Sequence, residues 1–227
     1  MGRPKVHDEQ TAQALLDAAE RTLEREGPAA LSLRSLAEEA GSTTRAVYSL
    51  FGSKEGLVAA LGARTFEMLR EGLDEVPVTG DPQRDLVEAA LMFRRFAVEH
   101  PALFAIGIQR TATSPEQWAR FRPHAADALS HLVERMAHLE RGGLLAGRSP
   151  RRAAGQFHAL CEGLAALELR GGIEAPERFW REAASALIAG FAQESRRVEA
   201  REGPRDSKAA PVDDRASSHA SADNETR

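Results

Sequence analysis

Cysteine is nearly absent from this sequence: Cys161 stands alone among 227 residues. A single thiol excludes an intramolecular disulfide framework and a cysteine-rich zinc site. The histidines His124, His131, His138 and His158 are scattered, without the cysteine or carboxylate spacing that would complete a ligand set, so no metal is expected. Long apolar runs are missing too. The longest, such as residues 102–108, fall far short of the ~20 needed to cross a bilayer. The opening Met1-Gly2-Arg3-Pro4-Lys5 leads into polar sequence with no secretory pattern. The expected compartment is therefore the cytoplasm, with no membrane partner. There is no glycine-rich phosphate loop and no nucleophile–base spacing, which argues against an enzyme and leaves no cofactor to expect. Sustained period-two alternation is also lacking, so strands are not expected.

Positive charge is not in excess either. The net charge is −4 and the pI about 6.0. That excludes a general nucleic-acid coat, and any DNA contact has to come from a compact local patch. Lysine is rare (Lys5, Lys54 and Lys208), and arginine carries most of the basic charge. The bias reads as genomic, so the arginine count alone says little about DNA.

What remains is helical. Hydrophobic residues make up 42% of the chain, enough for a real core. Ala12, Leu15, Leu16, Ala19 and Leu23 recur at helical spacing, and Gly27-Pro28 stops that helix. Ser32 can cap a short helix that buries Leu33, Leu36, Ala37 and Ala40. Gly41 ends it at a turn that calls for positive φ. Thr43 can cap a third helix to about Leu50, and Ser53 a fourth over 54–73. Residues 76–82 form the clearest internal linker. Helical patterns follow over 83–99, 101–112, 115–141, 150–170 and 176–198. After about Glu199 large apolar residues all but vanish, and a segment of that composition cannot offset its ordering entropy. The expected organisation is all-α: residues 1–55 as a DNA-binding module, 56–199 as a helical sensing and dimerisation domain, and 200–227 as a disordered tail.

The two short helices joined at Gly41 match a helix-turn-helix, with the second helix available for the major groove. Ser42, Thr43, Thr44, Arg45 and Ser49 stay polar on the outward face. Hydroxyls and helix N-terminal amides suit phosphate oxygens, and an arginine suits a guanine edge bidentately. The run Ala40-Gly41-Ser-Thr-Thr-Arg-Ala-Val-Tyr48, followed by Phe51-Gly-Ser-Lys54-Glu-Gly-Leu57, resembles the tetracycline-repressor (TetR) family of transcriptional regulators over about residues 8–60. The resemblance implies a homodimeric repressor with two DNA-reading modules and a C-terminal core that senses a small molecule. By position it implies that Arg34, Thr43, Thr44, Arg45 and Tyr48 face DNA and that Lys54 touches a phosphate. Arg45 stands where many members have glycine, and Leu50 where an aromatic or histidine often reaches the backbone. Arg3 and Lys5 form a candidate basic arm.

In the second half, Phe96-Ala-Val-Glu-His-Pro101 and Phe157-His-Ala-Leu-Cys-Glu-Gly163 resemble a subgroup with a Trp-x-x-x-His-Gly segment, although His158 stands at the tryptophan position and Glu162 at the histidine. Leu160, Leu164, Leu167, Leu187, Ile188 and Phe191 repeat at three- and four-residue steps as a candidate dimer surface. The candidate cavity lining is Phe66, Phe93, Phe96, Phe104, Ile108, Gln109, Trp118, Phe121, Phe157, His158, Cys161 and Glu162, with Gln109, His158 and Glu162 as polar anchors. The expected partners are a roughly palindromic double-stranded operator, a second copy of the chain and a largely apolar effector. An all-helical enzyme and a protein-interaction scaffold are the competing classes.

Overall fold

The computed structural model describes residues 5–111 and 113–202. Helices α1 (Lys5–Glu26), α2 (Leu33–Glu39) and α3 (Thr44–Phe51) form the N-terminal unit. A single 3₁₀ turn, Pro28–Ala30, follows Gly27. The expected caps are in place. Ser32 accepts from Ser35 N at 3.5 Å and Thr43 from Ala46 N at 3.2 Å, while Ser53 accepts from Gly56 N at 3.1 Å. Each satisfies a backbone donor that a helix start leaves open. Gly41 adopts φ 61°, the left-handed turn that lets α2 hand over to α3. Leu15, Ala18, Ala19, Leu36, Ala37 and Val47 fill the small core these helices share.

Helix α4 (Lys54–Glu75) leaves this unit and becomes the central strut of the second half. It lies along α7 (Pro115–Arg141) and α5 (Pro82–Glu99). Arg135 on α7 donates through Nη2 to the Leu73 and Val76 carbonyls, closing the end of α4. Helices α8 (Pro150–Leu169) and α9 (Pro176–Glu202) pack against α5. There Arg94 grips Glu168 at 2.7–3.0 Å, and the Trp180 indole N–H donates to the same carboxylate at 2.8 Å.

The structure departs from the periodicity in one place. In place of a helix over 101–112 there is one turn, α6 (Pro101–Leu103), opening into a π-helical turn over Phe104–Ile108. The wider turn is closed by Gln109 N donating to the Phe104 carbonyl at 3.1 Å. Gly107 explains the position: a Cβ there would lie 2.5 Å from the Thr65 side chain on α4. Backbone and strut are in direct contact at that point, and only glycine allows it. Helix α9 runs to Glu202, and the rest of the expected tail, 203–227, lies outside the described residues.

Candidate nucleic-acid interface and ligand cavity

Helix α3 turns Val47 into the core and leaves Arg45, Tyr48 and Ser49 outward. Tyr48 is 55% exposed, which an intramolecular core role would not leave it. Thr43 uses its oxygen to cap α3, so its hydroxyl proton remains available to an external acceptor. Thr44 begins the helix half-buried. Neither Arg45 nor Lys54 has an ion-pair partner among the described residues. Lys54 opens α4, where free backbone amides and the helix dipole add to its charge. Arg34 is exposed on α2 and paired with Glu38 at 3.2 Å, an exposed helical pair that is worth little and readily exchanged. Leu50 is half-buried and packs on the core. Of the candidate arm, Lys5 already belongs to α1, and Arg3 lies outside the described residues.

Behind α4 the structure holds a cavity of about 410 Å³. That size falls within the ordinary range of small-molecule sites. Phe66, Phe93, Ile108, Gln109, Trp118, Phe157, His158, Cys161 and Glu162 line it, as the sequence suggested. Phe96, Phe104 and Phe121 do not. Phe121 is fully buried behind the wall, stacked on Phe66 at 6.1 Å and edge-on to Trp118 at 5.1 Å. Phe104 backs Phe93 edge-on at 6.3 Å, and Phe96 lies against His100. Phe121 and Phe104 brace the wall rather than face the space, and Phe96 is buried in the core beside His100.

The sequence reading missed the aliphatic part of the lining. Leu69 and Leu73 on α4, and Ala125, Ala128, Leu129 and Leu132 on α7, also face the cavity. The α7 residues recur at helical spacing on a helix whose other faces are charged, a stripe that could have flagged them. Arg110 was also missed. It is exposed, takes a left-handed backbone (φ 54°) and lays its guanidinium 4.9 Å from the Trp118 ring centre. Cys161 is buried in the wall, and burial pushes its thiol pKa far up, so it acts as a small apolar group. His158 lies 5.9 Å edge-on from Phe93, and burial lowers its pKa against the weaker upward pull of Glu162.

The candidate dimer stripe divides in two. Leu164, Ile188 and Phe191 are buried within the protomer, which corrects their assignment as interface residues. Helical stripes on α8 and α9 have two faces, and these three point to the chain's own core. Leu160 and Leu187 are half-buried, while Leu167 is 46% exposed. Phe179, 45% exposed, joins that outer face. Gly155, Gly163 and Gly190 have open space where a Cβ would stand, so a second backbone could approach closely there.

A polar junction links the two halves. Arg64 on α4 holds Asp17 of α1 at 2.6 Å, and its other nitrogen lies 3.7 Å from Glu20. Glu20, almost wholly buried, meets His100 Nδ1 at 2.6 Å, just ahead of α6.

Residues 15–61 match the model of the tetR family of bacterial regulatory proteins. Residues 86–191 match the tetracyclin repressor-like C-terminal domain. The nicotine-responsive transcriptional repressor HdnoR of Paenarthrobacter nicotinovorans is 30% identical over 122 residues, which is 51% of this chain and 57% of that repressor's length. A Rhodococcus sp. RHA1 protein of unknown function superposes with a TM-score of 0.72 at 24% identity, over 81% of this chain and 96% of its own. AibR, solved with isovaleryl coenzyme A and operator DNA, superposes with a TM-score of 0.59 at 17% identity, over 80% of this chain and 98% of its own.

Proposed function

Because this chain belongs to the tetR family of bacterial regulatory proteins, we propose that it is a homodimeric repressor: α3 reads a roughly palindromic operator, and a small, largely apolar molecule in the cavity releases it. The family is one of DNA-binding regulators and not of enzymes. The observation that carries the reading is the outward face of α3, where Arg45 and Tyr48 stand exposed on a helix held by Val47. Thr43, Thr44 and Arg34 flank that face, and Lys54 holds a phosphate. HdnoR, a repressor that responds to a small molecule, supports the repressor assignment. AibR, on the same fold, was solved with isovaleryl coenzyme A and operator DNA together.

Release runs through contacts between neighbouring elements. The cavity wall includes Gly107 and Ile108, which belong to the π-helical turn. That turn rests on Thr65, whose hydroxyl donates to the Leu103 or Leu61 carbonyl, each 3.1 Å away. The next residue, Arg64, holds α1. A ligand that displaces the turn therefore tilts α4 and α1 together. That changes the separation of the two recognition helices, which DNA requires at roughly 34–36 Å, one helical turn. The partner docks on the outer face of α8 and α9, around Leu160, Leu167 and Leu187.

The test is selection of bound genomic fragments by the full-length protein, followed by footprinting. An enriched inverted repeat protected over two half-sites is expected. Enrichment without any shared motif would overturn the operator reading. A monomer mass in light scattering at low micromolar concentration would overturn the dimer.

A further inference from the structure

The cavity's charges, taken with the reading of it as the effector site, specify the effector more narrowly than apolar. Glu162 and His158 stand one turn apart on α8, both on the cavity wall. Their separation, Glu162 Oε2 to His158 Nε2, is 3.8 Å. Glu162 has no arginine or lysine partner among the described residues. Three carboxylates on the sensor helices are engaged by arginine, Glu168 by Arg94, Glu88 by Arg181 and Glu182 by Arg178, and none of these three lines the cavity. A carboxylate with no cation in contact is costly once a ligand excludes water from it. Arg110, the cation at the same cavity, does not cancel it. Arg110 is exposed, lies over the Trp118 face and forms no ion pair with Glu162.

We infer that the effector carries a protonated amine, seated against the Glu162 carboxylate and enclosed by the Phe93 and Phe157 rings. Phe93 and Phe157 line the cavity, and an aromatic ring's negative face attracts a cation alongside a carboxylate. Because burial lowers the His158 pKa, the imidazole is neutral at neutral pH and offers a ring nitrogen as a second acceptor. Ile108, Leu129, Leu132 and Met92 then receive the hydrocarbon part. An ammonium brings the contact cation that Glu162 lacks, a neutral ligand leaves Glu162 without one, and an anion seated at Glu162 meets a like charge.

Three isosteres test this by calorimetric titration of the full chain at neutral pH without DNA: phenethylamine, phenethyl alcohol and phenylacetate. The amine should bind roughly tenfold or more tightly than the alcohol, the range of a charge-assisted hydrogen bond. Glu162→Gln should erase that preference, and Glu162→Asp should keep part of it. If the glutamine variant fails to fold by circular dichroism, the ligand order in the unaltered protein and in the aspartate variant decides. Equal affinity for amine and alcohol, tighter binding of phenylacetate, no binding of any probe, or a preference that survives Glu162→Gln would each overturn the inference. Because no DNA is present, these outcomes are independent of the operator test. A failed operator test would leave the amine preference measurable, and a missing preference would leave the operator reading standing.

Discussion

At one end of the chain, Arg45 and Tyr48 face outward from an eight-residue helix and Lys54 opens the next, each helix begun by a hydroxyl that accepts from the backbone N–H three residues on. At the other, Phe66, Trp118 and Phe157 turn inward from three different helices and meet only because α4, α7 and α8 pack together. The first surface is built from contacts a few residues apart; the second needs partners up to about a hundred residues distant. The first presents Arg45 and Lys54 with no ion-pair partner among the described residues, the second an apolar space with a carboxylate, Glu162, that has no arginine or lysine partner among them. A surface made of local contacts survives changes elsewhere, whereas a cavity depends on the rings that brace it from behind.

That difference predicts where damage is greatest. Phe191→Arg should unfold the protein, because an unpaired charge in the protomer core costs about 3–5 kcal/mol. Leu167→Arg, on the exposed outer face, should dissociate the proposed dimer and leave helix content intact. Light scattering and circular dichroism on the pair separate inner stripe from outer. Dissociation without unfolding in the Phe191 variant would restore it to the interface. Phe121→Ala comes next, losing roughly 3–5 kcal/mol by equilibrium urea denaturation. Met92→Ala, half-buried on the cavity wall, should lose about 1 kcal/mol. Near-equal losses would mean the bracing rings are not distinct from the lining.

The DNA-reading end should respond on a smaller scale and without loss of fold. Arg45→Ala should weaken specific binding by about 1–3 kcal/mol and relax preference at one base position. Lys54→Ala should weaken all sequences alike and lower the salt slope by about one unit. Competition binding across single-base operator variants, repeated over a salt series, measures both. A footprint and base preference unchanged in the Arg45 variant would remove its base-reading role. A loss confined to the operator in the Lys54 variant would remove its phosphate role.

The same contrast explains what could be read from the sequence. Ser32, Thr43, Ser53 and Gly41 act on neighbours, so the starts and caps of α2, α3 and α4 and the turn between α2 and α3 were legible residue by residue. In the cavity, aromatic identity located the region but not the facing. Phe93 and Phe104 are both buried phenylalanines, and only packing decides that one lines the space while the other backs it. Leu164 and Leu167 are equally apolar and three residues apart, yet they point to different sides of α8. The π-helical turn had no local signal, since Gly107 is a weak helix residue in any setting and its reason is Thr65, far back on α4.

The junction between the two ends carries a small expected effect and the most direct test of their coupling. Glu20 is almost wholly buried where α1 meets the start of α6, within 2.6 Å of His100 and 3.7 Å of Arg64. Glu20→Gln keeps the shape and one hydrogen bond but removes the charge that faces both groups. The two ends should then move less tightly together. Coupling is the ratio of ligand affinity measured with and without saturating operator, and by linkage it equals the ratio for DNA measured with and without ligand. Substitutions within such a network shift coupling by about 0.5–2 kcal/mol, and a decrease in that range is expected. Ligand affinity in the absence of DNA should stay near that of the unaltered protein, because Glu20 does not line the cavity. Two calorimetric titrations of one ligand, with and without operator, suffice for each protein. A variant whose two affinities differ by the same factor as in the unaltered chain would show that the signal passes through Thr65 and α4 alone. A variant whose ligand affinity falls equally in both titrations would show a defect in the sensor half, with the junction uninvolved.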